Sequence, residues 1–367
     1  MASGHGPVAG LAVSQPDRDF WRGRRVLLTG HTGFKGAWLS LWLQSLEAEV
    51  VGVSAGVPTE PSFFQLARVG DTMRSIAASV CDADAVCTAV ESVAPQVVIH
   101  MAAQPIVRRS FDDPRETYET NVMGTVNVLD AVRLSAHDIR AVVVVTSDKC
   151  YENRESERAY REGDPLGGAD PYSSSKACAE LVTSAFTRSF FSGSQRPRVA
   201  SARAGNVIGG GDWGENRLVP DVIRAASAAD EIRVRNPASI RPWQHVLNPL
   251  SGYLLLAQAL WDSPDHAGSW NFGPPEDDAR PVGWIVERIC ELWPDELRWS
   301  YDDGPHPPEA RYLKLDSSRA RERLGWCPPV ALDSALQSIV EWHRALGEKA
   351  DMRALTLAQI DRFTSGG

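Results

Sequence analysis

The segment VLLTGHTGFKGAWLSLWL, residues 26–43, constrains the fold more than any other stretch of this chain. An aliphatic run ends in Gly30, and glycines recur at Gly33 and Gly36 before an apolar stretch at helical spacing. At a strand-to-helix junction the first glycine permits a tight turn, the second lets backbone approach a pyrophosphate, and the third lets the helix pack on the strand. The helix start then offers free amide donors and the positive end of its dipole. Glycines also end strands for structural reasons alone. Their position directly between a strand and an amphipathic helix favours a dinucleotide and makes Gly30, Thr32, Gly33, Phe34, Lys35 and Gly36 the candidate cofactor-binding residues.

From Arg25 onward, short β-branched runs (RVLLTG, EVVGVSA, RSIAAS, QVVIHMA, AVVVVTS and RVASARAG) alternate with helix-like segments beginning near Gly33, Asp82, Pro114 and Pro171. Such alternation is how consecutive βα units of a parallel sheet look. The expected fold class is α/β, a Rossmann-type doubly wound parallel sheet with a smaller C-terminal substrate-binding domain. After about Gly205 the texture shifts to loops rich in Gly, Pro and Trp, which suits an annex better than a second sheet. The expected divisions are a disordered tail over 1–20, a nucleotide-binding domain over 21–205 with a return segment near 242–265, an annex over 206–241 and 266–350, and a tail over 351–367. The stretch LDSALQSIVEWHRALGEK has apolar residues at helical spacing and predicts a helix docked on the annex.

A net charge of -9 argues against sequence-independent nucleic-acid binding, which neutralises phosphates with clustered Lys and Arg. No apolar run approaches the roughly 20 residues that cross a bilayer, and the first residues lack a basic n-region, so neither a membrane partner nor a secretory leader is expected. The six cysteines show no metal-ligand or disulfide-scaffold spacing, which predicts reduced thiols, a cytoplasmic location and no metal.

Downstream of the fifth run come TSDKCYEN and then DPYSSSKACAE, in which Tyr172 and Lys176 form a YxxxK pair one helical turn apart. A phenol ionises near pH 10, and a neighbouring ammonium favours the phenolate, so Tyr172 is a candidate general base. Taken alone, YxxxK is a common accident on an exposed helix. With the glycine loop upstream and TSDK at a strand end, it belongs to a constellation.

The segments TGHTGFKG, HMAAQP, TNVMGT, VVTSDKCYENR, DPLGGADPYSSSKACAELV, ARAGNVIGGGDW and RNPASIRPWQHVLNPLSGYLLLA resemble the extended short-chain dehydrogenase/reductases that modify nucleotide sugars. Within them the resemblance is to the hexose 4,6-dehydratases, with CDP-glucose the implied substrate and NAD the implied cofactor. The acidic residue that would hold a ribose 2′-hydroxyl is missing at the second strand end, where Ser54 stands, so NAD rests on the resemblance. A second departure is Ser79, with Asp82 close by, where an aspartate commonly contacts adenine. A third is SERA, where related dehydratases are tryptophan-rich.

The resemblance implies that Tyr172 takes the proton of the sugar 4-hydroxyl, supported by Lys176, while hydride passes to the nicotinamide. Water is then lost across carbons 5 and 6, and the hydride returns to carbon 6. Ser147 would hydrogen-bond the 4-oxygen, Asp148 would protonate the departing hydroxyl, and Lys149 would stand where related enzymes carry a glutamate base. Ala102 and Ala103 would lie under the cofactor, and Asn121, grouped with the cofactor-binding residues, would lie near the active-site water or the catalytic Lys176. Asn206, Arg217, Arg241 and Arg311 would bind the substrate, the arginines meeting its diphosphate. His100 is expected to be a packed strand-end residue, and Cys150, lacking a histidine partner, a packing residue. Members of this group commonly dimerise through the YxxxK helix, on which Lys176, Ala179 and Val182 lie, so a homodimer is expected. An epimerase or decarboxylase on a related nucleotide sugar shares the glycine loop and the YxxxK pair but needs no acid for a leaving hydroxyl; a catalytically silent protein of the same fold has no need of the pair.

Overall fold

The computed structural model describes residues 14–365 except 157, 193–196, 303, 305–311 and 329. Six strands, β1 (Arg25–Thr29), β2 (Glu49–Ser54), β3 (Arg74–Ala77), β4 (Val97–His100), β5 (Ala141–Val145) and β6 (Arg198–Arg203), lie where the β-branched runs predict them. They join a seventh strand, Gly268–Asn271, in one sheet ordered 3-2-1-4-5-6-7, and every pairing is parallel. The order reverses between β1 and β4, which opens a crevice at the carboxyl ends of the strands. β4 and β5 are buried along their whole length, as strands covered on both faces must be.

One face is covered by helices Phe34–Ser45 and Leu247–Asp262, whose Trp38, Trp42, Leu250 and Leu254 are fully buried. On the other face Val90, Val128 and Leu129, from helices Ala83–Val93 and Gly124–Leu134, pack on Leu27, Val98 and Val142. The annex has its own core of Val222, Ile223, Ile285, Ile289, Leu336 and Ile339. The predicted helix, Leu332–Gly347, joins this core and also sends Trp342 against Phe63, with ring centroids 6.0 Å apart.

Three boundaries differ from the sequence expectation. Gly268–Asn271, placed by composition in the annex, completes the large sheet; GSWN is too short to show a period of two, and only its pairing with β6 defines it. Met352–Thr364 is a helix, not a tail, and buries Met352, Ile360 and Phe363, the last edge-on to Trp42 at 5.3 Å. At the other end Arg18–Trp21 forms a helical turn whose Trp21 is fully buried and donates to Gln258 Oε1, so this part of the expected tail is folded; residues 1–13 lie outside the described residues. Among the described residues no helix is long and apolar enough to cross a membrane, and no cluster of metal-ligating side chains occurs.

Candidate active site

Gly30 has φ +76°, and a Cβ there would lie 2.7 Å from the Ala102 amide nitrogen, so the turn after β1 closes against the backbone after β4 only with glycine. A Cβ on Gly36 would sit 2.1 Å from the Gly30 carbonyl oxygen. Gly33 begins helix Phe34–Ser45 with no side-chain cap, leaving the first-turn amides of Phe34, Lys35 and Gly36 directed outward. This cradle fits the pyrophosphate of a dinucleotide. Thr32 is fixed beneath it, its hydroxyl donating to the Gly56 carbonyl and its amide to Ser54 Oγ. Ser54 stands at the end of β2 and hydrogen-bonds His31 Nδ1. Ser79 Oγ accepts from the Cys81 amide, and Asp82 caps its helix by accepting from the Ala85 amide, so both side chains are engaged locally.

Lys35 turns away from the loop. Its ammonium donates to the Tyr253 hydroxyl at 3.0 Å, and burial, with Lys176 and Arg217 nearby, pulls it down to about 7. Its other charged neighbour is Asp148, so this cofactor-loop residue reaches the place of chemistry.

Tyr172 and Lys176 project from helix Pro171–Phe190, which starts at Pro171 and is capped by Asp170 accepting from the Ser173 amide at 2.9 Å. Both side chains are buried, and burial pushes Tyr172 up to about 12 and Lys176 down to about 8. Burial alone therefore favours the neutral form of each; base chemistry at Tyr172 needs positive charge brought into the site. Asp148 follows β5 in the turn Asp148–Cys150 and is 2% exposed. Burial raises its pKa, opposed by Lys149, a hydrogen bond from Ser147, and Arg241. Ser147 Oγ donates to Asp148 Oδ1 at 2.9 Å and accepts from the Lys149 amide at 3.2 Å, and its hydroxyl lies near enough to the Tyr172 phenol to oppose the effect of burial there. Asp148 Oδ2 is buried with no hydrogen-bond partner among the described residues.

The remaining candidates divide. Asn121 does not donate to Lys176; its amide group donates to Ser175 Oγ at 2.9 Å and to the Gln104 carbonyl at 3.1 Å, tying the segment after β4 to the Tyr172 helix. Ala102 donates its amide to Thr29 Oγ1, and Ala103 follows it in the same partly buried segment. Asn206 adopts a left-handed conformation at φ +46° and accepts from the Gln244 amide through its carbonyl. Arg217 already holds both oxygens of Asp212, at 3.1 and 3.0 Å, and lies near enough to Tyr172 and Lys35 to act on both. Arg241 donates to its neighbour's carbonyl, that of Ile240, and acts on Asp148. Arg311 lies outside the described residues. His100 is packed between Thr29 and Thr125, and burial takes it down to about 3. Cys150 is fully buried, and burial raises its thiol well above the usual range.

Sequence reasoning missed Tyr253, Asp212 and the pair Glu180 with Arg203. Glu180, one turn beyond Lys176, accepts from Thr146, from Ser201 and from Arg203 at 2.7 Å, and Arg203 donates to the Tyr151 hydroxyl at 2.7 Å. This network clamps the strand ends that carry Ser147 and Asp148. The separation of Glu180 and Lys176 by four residues was the one available sign.

A glycine cradle at a helix N-terminus, opposite a YxxxK helix at the switch point of a parallel sheet, defines an extended short-chain dehydrogenase/reductase. The model of the NAD dependent epimerase/dehydratase family matches residues 26–273, and the chain belongs to that family. It is 49% identical to CDP-glucose 4,6-dehydratase of Salmonella typhimurium over 95% of this chain and 98% of that one. It is 28% identical to a probable dTDP-glucose 4,6-dehydratase of Sinorhizobium fredii, over 87% of this chain and 92% of the other. Among solved structures, UDP-glucose 4-epimerase of Stenotrophomonas maltophila, with bound NAD and formylated UDP-arabinopyranose, superposes with a TM-score of 0.76 at 20% identity, covering 89% of this chain and 100% of that one.

Proposed function

We propose that the protein is a nucleotide-hexose 4,6-dehydratase that converts CDP-glucose to CDP-4-keto-6-deoxyglucose. The observation that carries this reading is Asp148, a buried carboxyl that accepts from Ser147 and lies near enough to Tyr172 for its charge to act on the phenol, since an acid beside the base is what departure of the 6-hydroxyl requires and 4-epimerisation does not. The near-full-length similarity to the Salmonella enzyme supports the same choice of substrate.

When bound, NAD supplies a hydride acceptor for carbon 4 and gives the hydride back at carbon 6. Tyr172 removes the proton of the 4-hydroxyl, and Lys176 on the same helix face favours the phenolate. Ser147 hydrogen-bonds the 4-oxygen. The 4-ketone acidifies carbon 5, Lys149 takes that proton and Asp148 protonates the departing 6-hydroxyl. Lys149 returns its proton to carbon 5 at the end. Arg241, Arg217, Arg311 and Asn206 receive the nucleotide diphosphate half of the substrate.

The protein works as a homodimer, with the partner on the face formed by Val107–Asp112, Pro114–Tyr118, Glu119–Met123 and the outer side of Pro171–Phe190. Phe111, Met123 and Leu181 are 54%, 50% and 58% exposed there, whereas Lys176 and Ala179, expected on that face, are buried.

The deciding experiment is incubation with NAD and a panel of nucleotide hexoses, followed by mass spectrometry. Loss of one water from CDP-glucose, with no stoichiometric accumulation of NADH, is the expected result. An unchanged mass, or one NADH per sugar, overturns the reading.

A further inference from the structure

On the dehydratase reading, Asp148 delivers a proton to the departing 6-hydroxyl, and the place of its carboxyl decides how fast water is lost. Hydrogen bonds hold only one of its oxygens. Ser147 donates to Oδ1 at 2.9 Å, and Oδ2 is buried with no partner among the described residues. Packing locates the rest of the group: a Cβ on Gly205 would collide with both carboxyl oxygens, so the carboxyl rests on the bare Cα of that glycine. Its seat is as firm as the Gly205 peptide.

Resting on that reading, we propose that Gln244 is a positioning residue for Asp148: its side-chain amide fixes the Gly205 peptide on which the carboxyl rests. β6 ends at Arg203, whose carbonyl accepts from the Phe272 amide at 2.8 Å. The chain then leaves the sheet through Gly205 and the left-handed Asn206, at φ +46°. Gln244 takes hold of it there. Its Nε2 donates to the Gly205 carbonyl at 3.3 Å and to the Phe272 carbonyl at 2.8 Å, and its backbone amide donates to the Asn206 carbonyl at 3.2 Å. Only the NH2 end of the amide can meet two carbonyls, which fixes the way the side chain points. Gln244 is 1% exposed, and its Oε1 has no partner among the described residues, so these two side-chain bonds are what orient the group.

A shift of the Gly205 peptide moves the acid and leaves Tyr172 and Lys176, on their own helix, in place. Loss of the Gln244 contact therefore slows the one step that needs the acid, expulsion of the 6-hydroxyl. Hydride transfer from carbon 4 and proton removal at carbon 5 are spared. A fluorine at carbon 6 bypasses the acid altogether, because fluoride departs as a stable anion without taking up a proton.

The test compares CDP-glucose with its 6-deoxy-6-fluoro analogue. In Gln244→Glu, burial keeps the new carboxyl neutral, and its single proton serves the shorter contact to Phe272 while that to Gly205 is lost. Its kcat on CDP-glucose should fall about tenfold or more, while its kcat on the fluoro analogue stays at the wild-type value. In deuterium oxide the stalled 4-ketone should exchange at carbon 5 and take its hydride back, so CDP-glucose recovered from the variant carries deuterium there and that from the wild type does not. Gln244→Met, which removes both donors at the same length, should widen the gap between the two substrates; where it does not fold, Gln244→Glu, which keeps a donor to Phe272, decides. The proposal is overturned if Gln244→Glu slows both substrates by the same factor, as a merely structural role would, if it slows neither, or if the recovered CDP-glucose carries no deuterium. The deuterium arm needs only CDP-glucose. Failure of the wild-type enzyme to release water from CDP-glucose instead removes the dehydratase reading, and the role of Gln244 with it.

Discussion

Gly205, at the end of β6, makes room for Asp148: a Cβ on Gly205 would lie 1.8 Å from Asp148 Oδ2. The carboxyl is thus seated against bare backbone. Gly205→Ala must displace the carboxyl or the backbone, and overpacking of this kind costs about 1–3 kcal/mol. The expected result is a loss of kcat of about tenfold or more, with NAD binding unchanged by calorimetry. A wild-type kcat would show that the position of Asp148 does not matter.

Tyr172→Phe removes one hydroxyl from a buried site and leaves the ring packing in place. Activity should fall by a factor of roughly 100 or more, the scale of a lost general base. Thermal stability should hold, because the phenol accepts no backbone donor whose loss would leave it unpaired. Turnover near the wild-type rate would exclude Tyr172 as the base.

Arg241 and Arg217 should separate in kinetics. Arg217 is held by Asp212, and Arg241 lies near enough to Asp148 to act on it, so of the two Arg241 is the one placed on the side of the reacting groups. A charge-assisted contact contributes about 1.5–3 kcal/mol. Arg241→Ala should therefore raise KM for CDP-glucose about tenfold or more, with a smaller change in kcat. Equal KM values for mutant and wild type would place the diphosphate elsewhere.

Buried histidines make the fold sensitive to mild acid. Burial lowers His100 and His343 to about 3 and His245 to about 4. The unfolded chain binds protons at these sites near pH 6.5 while the native state does not, so their stabilising contribution is complete above pH 6.5 and is lost as pH falls toward 4 and 3. The Tm should drop between pH 6.5 and 4.5, and His343→Gln should flatten that slope. Parallel slopes in the two proteins would count against His343 as a contributor.

Leu181 projects from the outer side of the catalytic helix at 58% exposure. Leu181→Glu places a charge in the middle of the proposed subunit contact, where it would be desolvated on association. Light scattering should report a dimer for the wild-type chain and a monomer, or a strongly weakened dimer, for the variant. A wild-type monomer would remove the proposal.

Much of the molecule is legible in its amino-acid sequence. The six β-branched runs, the glycines between β1 and its helix, and the prolines at the starts of two helices are local signals, because strand burial, tight turns and first-turn geometry each act over a few residues. The YxxxK pair is local for the same reason: one helical turn places Tyr172 and Lys176 on one face whatever surrounds them. What the sequence could not decide is everything that depends on which distant segments meet. GSWN is a strand because β6 offers it an edge, and the last helix docks because Trp42 lies open to Phe363. Asp148 is shielded from water because Gly205, far along the chain, comes within contact of it. Lys35, a cofactor-binding candidate by its place in the glycine loop, has its side chain carried to the Tyr253 hydroxyl. Burial and charge proximity are sums over the whole packed chain, so the acidities of Tyr172, Lys176 and Asp148, and with them the chemistry of the site, are set only by the tertiary structure.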